Sequence, residues 1–310
     1  MPSDKIDFFQ TDIPTDWSEM MKCVTRLSER YPFLAVGKIG ESILSKSIPV
    51  LRIGYGKRSA LYVGAHHGME WITSLLLLQF ISELCDAYQN QKKLFKRSVP
   101  VFLEQFTIHV IPMLNPDGVD YQIHGITKEN PLYERVLAMN GGSSDFSYWQ
   151  ANARGVDLNH NYNAGFREYK QLEAEQKISC GAPTRYSGQE PESEPEVRAL
   201  CNYIQFQKQL GLVLTLHTQG EEIFYQSHGK KVAGTDYAIS KIAELTGYRL
   251  SQAEGLAAYG GLTDWCLLKQ NIPALTLECG KGVNPLPQKN CFAIYARLRE
   301  ALFVAPTLFG

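Results

Sequence analysis

Two histidines and a glutamate follow an apolar segment in LYVGAHHGMEW, a stretch that ends at Trp71. His67 and Glu70 have the spacing H-x-x-E, which places both side chains on one side of a helical turn. Imidazole and carboxylate groups are common ligands of a catalytic zinc ion, which takes three protein ligands and keeps one position for water. The spacing alone is frequent in proteins, so a metal site here needs a third ligand and a proton-transfer group from other segments.

Two further apolar segments end in residues that could supply those groups. GLVLTLH ends in His217 and ALTLE ends in Glu278, and each segment has the length and composition of a buried strand. Open α/β sheets bind their ligands at the carboxyl ends of the strands. We therefore expect both side chains to lie close to the H-x-x-E pair.

The expected chemistry is hydrolysis by a water molecule that a metal ion activates. His67, Glu70 and His217 would hold one zinc ion, which lowers the pKa of water and polarises a carbonyl group. Glu278, free of the metal, would accept the proton of the water and pass it to the leaving nitrogen. His66 stands four residues before Glu70, a spacing that is also compatible with a helix, and it remains the alternative ligand.

The segments that must position these groups alternate between strand-like and helix-like patterns. Strands are predicted for PFLAVGKIG, SIPVLRIGYG, SALYVGA and QFTIHVIPML, and helices for Asp16–Arg30, ITSLLLLQFISELCDAY and Gln288–Val304. A further helix is expected to begin at Ser193 and Glu196, which have the spacing of a capping box. Residues 115–190 have little periodicity, and so long an irregular region in a compact protein is normally functional. That region begins with NPDG, a strong turn sequence.

This alternation indicates a single α/β domain over residues 1–310, on which residues 1–30 pack as an N-terminal helical segment. The 31 basic and 32 acidic residues leave a net charge of −1, which does not favour nucleic acid or an acidic membrane as a partner. No apolar run reaches the roughly 20 residues of a membrane-spanning helix, and the first residues lack the pattern of a secretory signal. The seven scattered cysteines indicate reduced thiols, so we expect a cytoplasmic protein; the sequence leaves the oligomeric state open.

Six motifs occur in an order and spacing that resemble the zinc carboxypeptidase family of the carboxypeptidase A type. They are GAHHGMEW, NPDG, GVDLNHN, TLHT, GGLTDW and TLECG. The resemblance implies a mixed, mainly parallel eight-stranded sheet between helices, with His67, Glu70 and His217 as the ligands of one zinc ion. It also implies that Glu278 is the general base and that Asp157 orients the imidazole of His67.

The chain departs from this family at positions that classical members use to hold the substrate. His160 stands where an arginine grips the terminal carboxylate, and Met69 stands at another arginine position. Gln150 takes the place of the arginine that polarises the scissile carbonyl, and Arg154, four residues later, is the alternative source of that charge. Tyr259 is the nearest candidate for a tyrosine that normally precedes the GG pair. These losses argue against ordinary carboxypeptidase action.

The segments WQANARGVDLNHNYNAGF, SEPE, LHTQGEEI, AAYGGLTDW and LECGKGVNPLP resemble a narrower branch, the bacterial γ-D-glutamyl-meso-diaminopimelate peptidases. The resemblance implies a muropeptide substrate, cleaved between the γ-carboxyl group of D-glutamate and diaminopimelate. The residues expected to contact it are Asn159, His160, Tyr259, Glu221 and Glu222. Either glutamate would meet the amine of diaminopimelate, and His160 or Arg154 would meet its carboxylate. The alternatives are a conventional metallocarboxypeptidase, a zinc deacylase of the aspartoacylase type, and an inactive muropeptide-binding protein.

Overall fold

The computed structural model of the chain describes residues 14–309. Its strands are β1 (Ala35–Glu41), β2 (Ser47–Ile53), β3 (Arg58–Val63), β4 (Lys93–Leu94), β5 (Arg97–Ser98), β6 (Phe106–Ile111), β7 (Leu210–His217), β8 (Glu222–Phe224), β9 (Arg249–Ser251) and β10 (Ala274–Glu278). β4 and β5 pair with each other in a short antiparallel hairpin. The other eight strands form one sheet in the order β1-β2-β6-β3-β7-β10-β8-β9.

The centre of this sheet is parallel and its margins are mixed. The pairs β6–β3, β3–β7, β7–β10 and β8–β9 are parallel, whereas β1–β2, β2–β6 and β10–β8 are antiparallel. The predicted mixed, mainly parallel sheet of eight strands is confirmed. Parallel strands are buried on both faces, which explains why GLVLTLH and ALTLE are continuous apolar runs rather than alternating ones.

Helices lie on both faces of the sheet. They are α1 (Trp17–Arg30), α2 (Ile72–Gln89), α3 (Val99–Gln105), α4 (Pro116–His124), α5 (Tyr133–Met139), α6 (Phe166–Glu175), α7 (Pro195–Phe206), α8 (Asp236–Thr246), α9 (Leu262–Trp265) and α10 (Cys291–Leu308). One apolar layer contains residues of α1, α2, α3, α8 and α10, and a second layer contains residues of α7 and α9. Strand β3 contributes to both, with Ala60 and Tyr62 in the first layer and Leu61 and Val63 in the second.

The N-terminal helix predicted over Asp16–Arg30 is present as α1. Asp16 is its N-cap, and the Asp16 carboxylate accepts a hydrogen bond of 2.8 Å from the backbone N–H of Glu19. The apolar face of α1 packs into the same layer as α2. The first thirteen residues of the expected N-terminal segment lie outside the described residues.

The region 115–190 contains three helices that its sequence pattern does not predict. The NPDG stretch is not an isolated turn, because Asn115 is the N-cap of α4 and its side-chain oxygen accepts a 2.9 Å hydrogen bond from Gly118 N–H. Pro116 occupies the first helical position, where the missing N–H has no intrahelical partner to lose. The prediction of an isolated turn at NPDG is therefore wrong. The loops between the helices of this region supply much of the wall of the cleft described below.

The capping box predicted at Ser193 and Glu196 is also wrong. Helix α7 begins with Glu194 as its N-cap, without a hydrogen bond from the cap side chain. The buried carboxyl group of Glu196 instead accepts hydrogen bonds of 3.3 Å from the Ile43 backbone N–H and 3.3 Å from the Asn152 side chain. This glutamate therefore joins α7 to two distant loops rather than capping its own helix.

The C-terminal helix predicted over Gln288–Val304 is present as α10, shifted toward the C-terminus. It packs against α2 and α8 and carries much of the first apolar layer. Among residues 14–309, no helix combines the length and the apolar composition that crossing a membrane requires.

Candidate metal centre and substrate cleft

Neighbouring strands bring the first site residues together. Because β3 and β7 are parallel neighbours, the chain that leaves β3 and the last residue of β7 reach the same edge of the sheet. After β3, His67 has an extended backbone and precedes a short 3-10 turn that carries Glu70. His217 is the last residue of β7, and it is the register partner of Glu278, the last residue of β10.

His67, Glu70 and His217 direct three potential metal-binding groups to one point. His67 Nδ1 lies 3.0 Å from Glu70 Oε1, His217 Nδ1 lies 3.1 Å from Glu70 Oε2, and the two Nδ1 atoms are 3.4 Å apart. Ligand atoms that hold zinc tetrahedrally at about 2.0–2.1 Å are roughly 3.3 Å from one another. The types of donor and their spacing therefore fit a single zinc ion.

Asp157 orients the first of these imidazoles. His67 Nε2 lies 3.1 Å from Asp157 Oδ1, so a proton on Nε2 leaves the Nδ1 lone pair free for a metal. The same carboxylate accepts backbone hydrogen bonds of 3.2 Å from Asn159 and 3.2 Å from Arg185. Burial alone would raise the pKa of Asp157, but the neighbouring His67 and His160, together with the hydrogen bonds that the carboxylate accepts, hold the pKa below its ordinary value.

His66, the alternative ligand, is fully occupied elsewhere. Its Nε2 lies 3.0 Å from the Tyr162 hydroxyl and its Nδ1 lies 3.2 Å from the Thr215 hydroxyl. Burial lowers the pKa of His66 well below its ordinary value, so the ring is neutral. Its ring stacks beside that of His217 at 5.1 Å between centroids, which makes His66 a packing partner of a candidate ligand rather than a ligand.

Glu278 lies beside the metal-binding set without belonging to it. The group of side chains close enough to share an ion, among the described residues, contains His67, Glu70 and His217. Glu278 is half-buried and lines the same cleft as these three. Burial raises the pKa of Glu278 well above its ordinary value, and the negative charge of Glu70 adds to the effect. The arrangement supplies a carboxyl group next to the ion position, where a proton carrier is needed.

A cleft of about 450 Å³ opens above these residues, and three more of the predicted site residues line it. Gln150 accepts a hydrogen bond at Oε1 from the Thr184 hydroxyl. Asn159 accepts one of 3.2 Å at Oδ1 from a backbone N–H of α9. His160 lies 2.8 Å from the backbone carbonyl of Tyr259 through Nδ1, which leaves Nε2 for the cleft.

Arg154 and Tyr259 are two of the four predicted site residues that do not line this cleft. Arg154 lies in a separate depression, where its Nη1 is 3.8 Å from Glu194 Oε1. Tyr259 stacks on His228 at 4.1 Å between centroids and lines an adjoining depression. Arg154, the alternative source of positive charge, and Tyr259 therefore both lie away from the metal-binding residues.

The two glutamates expected to meet the amine of a substrate are also held elsewhere. Glu221 forms ion pairs with Arg297 and, at 2.9 Å, with Lys281. Glu222 forms an ion pair with Arg249, and neither glutamate is among the residues that line the cleft. The sequence-based assignment of Glu221 and Glu222 to the amine does not agree with this geometry.

Two charged residues that the sequence analysis missed do line the cleft, Arg185 and Asp264. Arg185 lies in the irregular loop before α7, and no periodicity or motif in PTRYSG marks it. Asp264 lies inside GGLTDW, so its place in an ordered motif was a usable signal. Burial raises the pKa of Asp264, although a hydrogen bond of 3.0 Å from the Gly261 N–H favours its charged form.

An α/β sheet that carries a His-Glu-His centre at its strand ends, with a further carboxyl group alongside, defines a metal-dependent hydrolase. The chain matches the zinc carboxypeptidase family over residues 20–293, and it belongs to that family. It is a metallopeptidase that uses one zinc ion, as the resemblance of its motifs predicts.

Two related proteins align with most of the chain. Gamma-D-glutamyl-L-diamino acid endopeptidase 1 of Lysinibacillus sphaericus is 32% identical over 287 residues, which are 93% of this chain and 70% of that protein. Human mast cell carboxypeptidase A is 22% identical over 236 residues, 74% of this chain and 51% of that protein.

Solved structures with the same fold include bovine thrombin-activatable fibrinolysis inhibitor, with a TM-score of 0.71 and 19% identity over 96% of this chain and 97% of that one. Murein-tripeptide amidase MpaA of Escherichia coli O157 has a TM-score of 0.53 and 21% identity over 86% of this chain and 92% of that one. At these identities the likeness establishes the fold.

Proposed function

We propose that this metallopeptidase hydrolyses the amide bond between the γ-carboxyl group of D-glutamate and diaminopimelate in peptidoglycan stem peptides. The observation that carries the proposal is the presence of His160 in the cleft. An imidazole whose Nδ1 is engaged by the Tyr259 carbonyl stands where the resemblance implies an arginine fork for a terminal carboxylate. The likeness to a γ-D-glutamyl-L-diamino acid endopeptidase over 93% of the chain supports the same substrate class.

The catalytic steps divide among the residues at the floor of the cleft. His67, Glu70 and His217 would hold the zinc ion, which when bound lowers the pKa of water and polarises a carbonyl group. Glu278 accepts the proton of the attacking water and delivers it to the leaving nitrogen. Asp157 keeps the His67 ring in the tautomer that leaves Nδ1 unprotonated.

Gln150 positions the scissile carbonyl. Its Oε1 accepts from the Thr184 hydroxyl, so its amide N–H groups point away from that bond and can donate to the substrate oxygen. A neutral amide gives weaker stabilisation of a developing negative charge than a guanidinium would. We therefore expect the chain to depend more heavily on its metal ion than a classical carboxypeptidase does.

The leaving diamino acid meets the remaining polar residues of the cleft. Asp264 is the carboxyl group that would pair with the side-chain ammonium, a role that the sequence analysis gave to Glu221 or Glu222. The amide group of Asn159 and Nε2 of His160 would hold the carboxylate of the same residue, because the other polar atom of each side chain already has a backbone partner.

The same proposal places the protein in the cytoplasm, with a small muropeptide as its partner. Its support is the state of the cysteines, all seven of which are unpaired in the described residues. Five of them are buried, where free thiols are stable in a reducing compartment.

The test is a liquid-chromatography assay on two substrates in parallel. The purified zinc-loaded protein should release diaminopimelate from L-Ala-γ-D-Glu-meso-diaminopimelate, and a chelator should abolish that release. A peptide with an ordinary α-linked C-terminal residue should be cleaved at least about tenfold more slowly in kcat/KM. Preference for the α-linked peptide would identify a conventional metallocarboxypeptidase, and chelator-sensitive release from neither substrate would contradict both readings.

A further inference from the structure

Arg185 is a charged group of the cleft that the catalytic steps leave without a role. Among the described residues it is the arginine that lines the cleft, and no lysine lines it. Its guanidinium has no ion-pair or hydrogen-bond partner within residues 14–309, although Glu70, Glu278 and Asp264 line the same cavity. An exposed, unpaired guanidinium in a cleft is a ready site for a carboxylate, which it binds with two parallel hydrogen bonds.

The backbone holds Arg185 rigidly at this place. Its N–H donates to Asp157 Oδ2 at 3.2 Å, and its carbonyl accepts from the Tyr169 hydroxyl at 3.0 Å. Its φ of 67° lies in the left-handed region, which a non-glycine residue keeps only where the surrounding structure requires it. The carboxylate that orients His67 thus also fixes the loop that presents the guanidinium.

The order of the strands decides which end of the substrate faces Arg185. In the sheet, β3, β7 and β10 are consecutive, so the turn after β3 and Glu278 on β10 lie on either side of His217. The loop segment of Gln150 is bound to the β3 side, because its carbonyl accepts a 2.9 Å hydrogen bond from Gly68 N–H. Thr184, directly before Arg185, is bonded to Gln150 and therefore belongs to that side.

The chemistry of the reaction then assigns the two sides. Glu278 must reach the leaving nitrogen to protonate it, so the diamino acid extends toward β10. The acyl residue consequently lies toward Gln150 and Arg185. When that residue is a glutamate cleaved at its γ-carboxyl group, its α-carboxylate is not part of the scissile bond and remains free and negatively charged.

We infer that Arg185 binds the free α-carboxylate of the γ-linked glutamyl residue and thereby selects γ-glutamyl substrates. An α-linked peptide offers no such group, because its α-carboxyl is the one being cleaved. This role rests on the proposed function. The contact of Arg185 with the acyl residue compensates in part for the arginine that the resemblance implies at position 160, where this chain has histidine.

The test compares two substrates that differ only in the group concerned. One is L-Ala-γ-D-Glu-meso-diaminopimelate, and the other carries an amide in place of the D-glutamate α-carboxylate. The wild-type enzyme should prefer the free carboxylate about 10- to 100-fold in kcat/KM, as expected for a hydrogen-bonded charge pair. Arg185→Gln should lose that preference by slowing cleavage of the free acid, with less than about a threefold effect on the amide. Arg185→Lys should be intermediate, because it keeps the charge and loses the fork.

Arg135→Gln is the matched control, since Arg135 is an exposed arginine that lines a different depression. It should change neither substrate. Calorimetric titration of the product L-Ala-D-Glu into the zinc-loaded protein should show the same loss of affinity in Arg185→Gln as the kinetics.

Three results would overturn the role of Arg185 alone: equal cleavage of both substrates by the wild type, an equal loss on both in Arg185→Gln, or no loss on either. A wild type that cleaves α-linked peptides and neither γ-linked substrate would instead overturn the proposed function, and this role with it.

Discussion

Replacement of Asp157 by asparagine should weaken zinc binding without disturbing the ligands themselves. In the native site, one carboxylate oxygen accepts from His67 Nε2 at 3.1 Å and the other accepts from the Arg185 N–H at 3.2 Å. An amide has one acceptor oxygen and one donor nitrogen, so Asp157→Asn cannot accept on both sides. Whichever side receives the NH₂ group loses its hydrogen bond and meets a donor.

The expected loss of zinc affinity follows from what each orientation of the asparagine amide does to the metal centre. If the NH₂ group faces His67, the imidazole is driven to the tautomer with its proton on Nδ1, the atom that must carry the metal. If the NH₂ group faces Arg185, the backbone N–H of Arg185 loses its acceptor, while His67 keeps a neutral and therefore weaker acceptor. Loss of such an outer partner commonly costs 10- to 100-fold in metal affinity, or about 1.4–2.7 kcal/mol.

The assay is competition for zinc against a chromophoric chelator, with activity measured in parallel as zinc is added. Asp157→Asn should bind zinc about 10- to 100-fold more weakly and regain part of its activity in excess zinc. Asp145→Asn, which changes an exposed acid outside the cleft, is the control and should bind zinc as the wild type does. Unchanged zinc affinity in Asp157→Asn would refute the view that this carboxylate sets the tautomer of His67.

Three further outcomes are expected. Glu278→Gln should lower kcat by at least about 100-fold while zinc content by atomic absorption stays that of the wild type; a variant that loses its zinc would show that Glu278 is a ligand. Asp264→Asn should reduce kcat/KM about tenfold more for γ-D-Glu-diaminopimelate than for γ-D-Glu-alanine, because alanine offers no side-chain ammonium; equal losses would contradict that contact. Burial raises the pKa of Glu196 to about 8 from an ordinary 4.5, so the native state retains a proton that the unfolded chain releases, and stability falls as the pH rises between these values. Glu196→Gln should remove this fall, so the difference in stability between variant and wild type should shift in the variant's favour by at most about 5 kcal/mol from pH 5 to pH 9, whatever the lost hydrogen bond costs the variant at both pH values; a difference in melting temperature that is the same at both pH values would argue against a protonated Glu196.

The metal centre was predictable because strand geometry places it. His217 and Glu278 are the last residues of two continuous apolar runs, and in a parallel sheet such ends meet at one edge. His67 and Glu70 follow a third run and share one short turn. Each of these positions depends on local pattern plus one general rule of topology, so the sequence alone was sufficient to propose them.

The choice between Gln150 and Arg154 depended on a tight turn that the sequence pattern does not predict. The side chain of Asn152 accepts from the Arg154 N–H at 2.9 Å, and its carbonyl accepts from the Gly155 N–H at 3.1 Å. The chain therefore reverses direction between the two candidates. Gln150 remains in the cleft, whereas Arg154 turns toward Glu194 on the far side of the loop.

The misplaced glutamates show a different obstacle. Glu221 and Glu222 follow the TLHT motif closely and carry the expected charge, which made them reasonable partners for an amine. Their actual partners, Arg297 on α10 and Arg249 on β9, are distant in sequence. Ion pairs between such distant segments form only when the fold is complete, so charge near a motif could not reveal that both side chains were already engaged.

The positions of the charged groups in the cleft explain how the same metal centre can catalyse the same hydrolysis on a different substrate. Positions 150 and 160, where the resemblance implies arginines, hold an amide and an imidazole, while a guanidinium at Arg185 and a carboxyl group at Asp264 face the cleft instead. An ordinary carboxypeptidase substrate presents one carboxylate, on the leaving residue. A γ-glutamyl diamino acid presents a carboxylate on the acyl side and an ammonium on the leaving side. Asp264 follows Thr263 in α9, whose hydroxyl lies 2.7 Å from that of Thr276 on β10. A cation on the β3 side and an acid beside β10 match that charge pattern, and neither change touches a metal-binding atom.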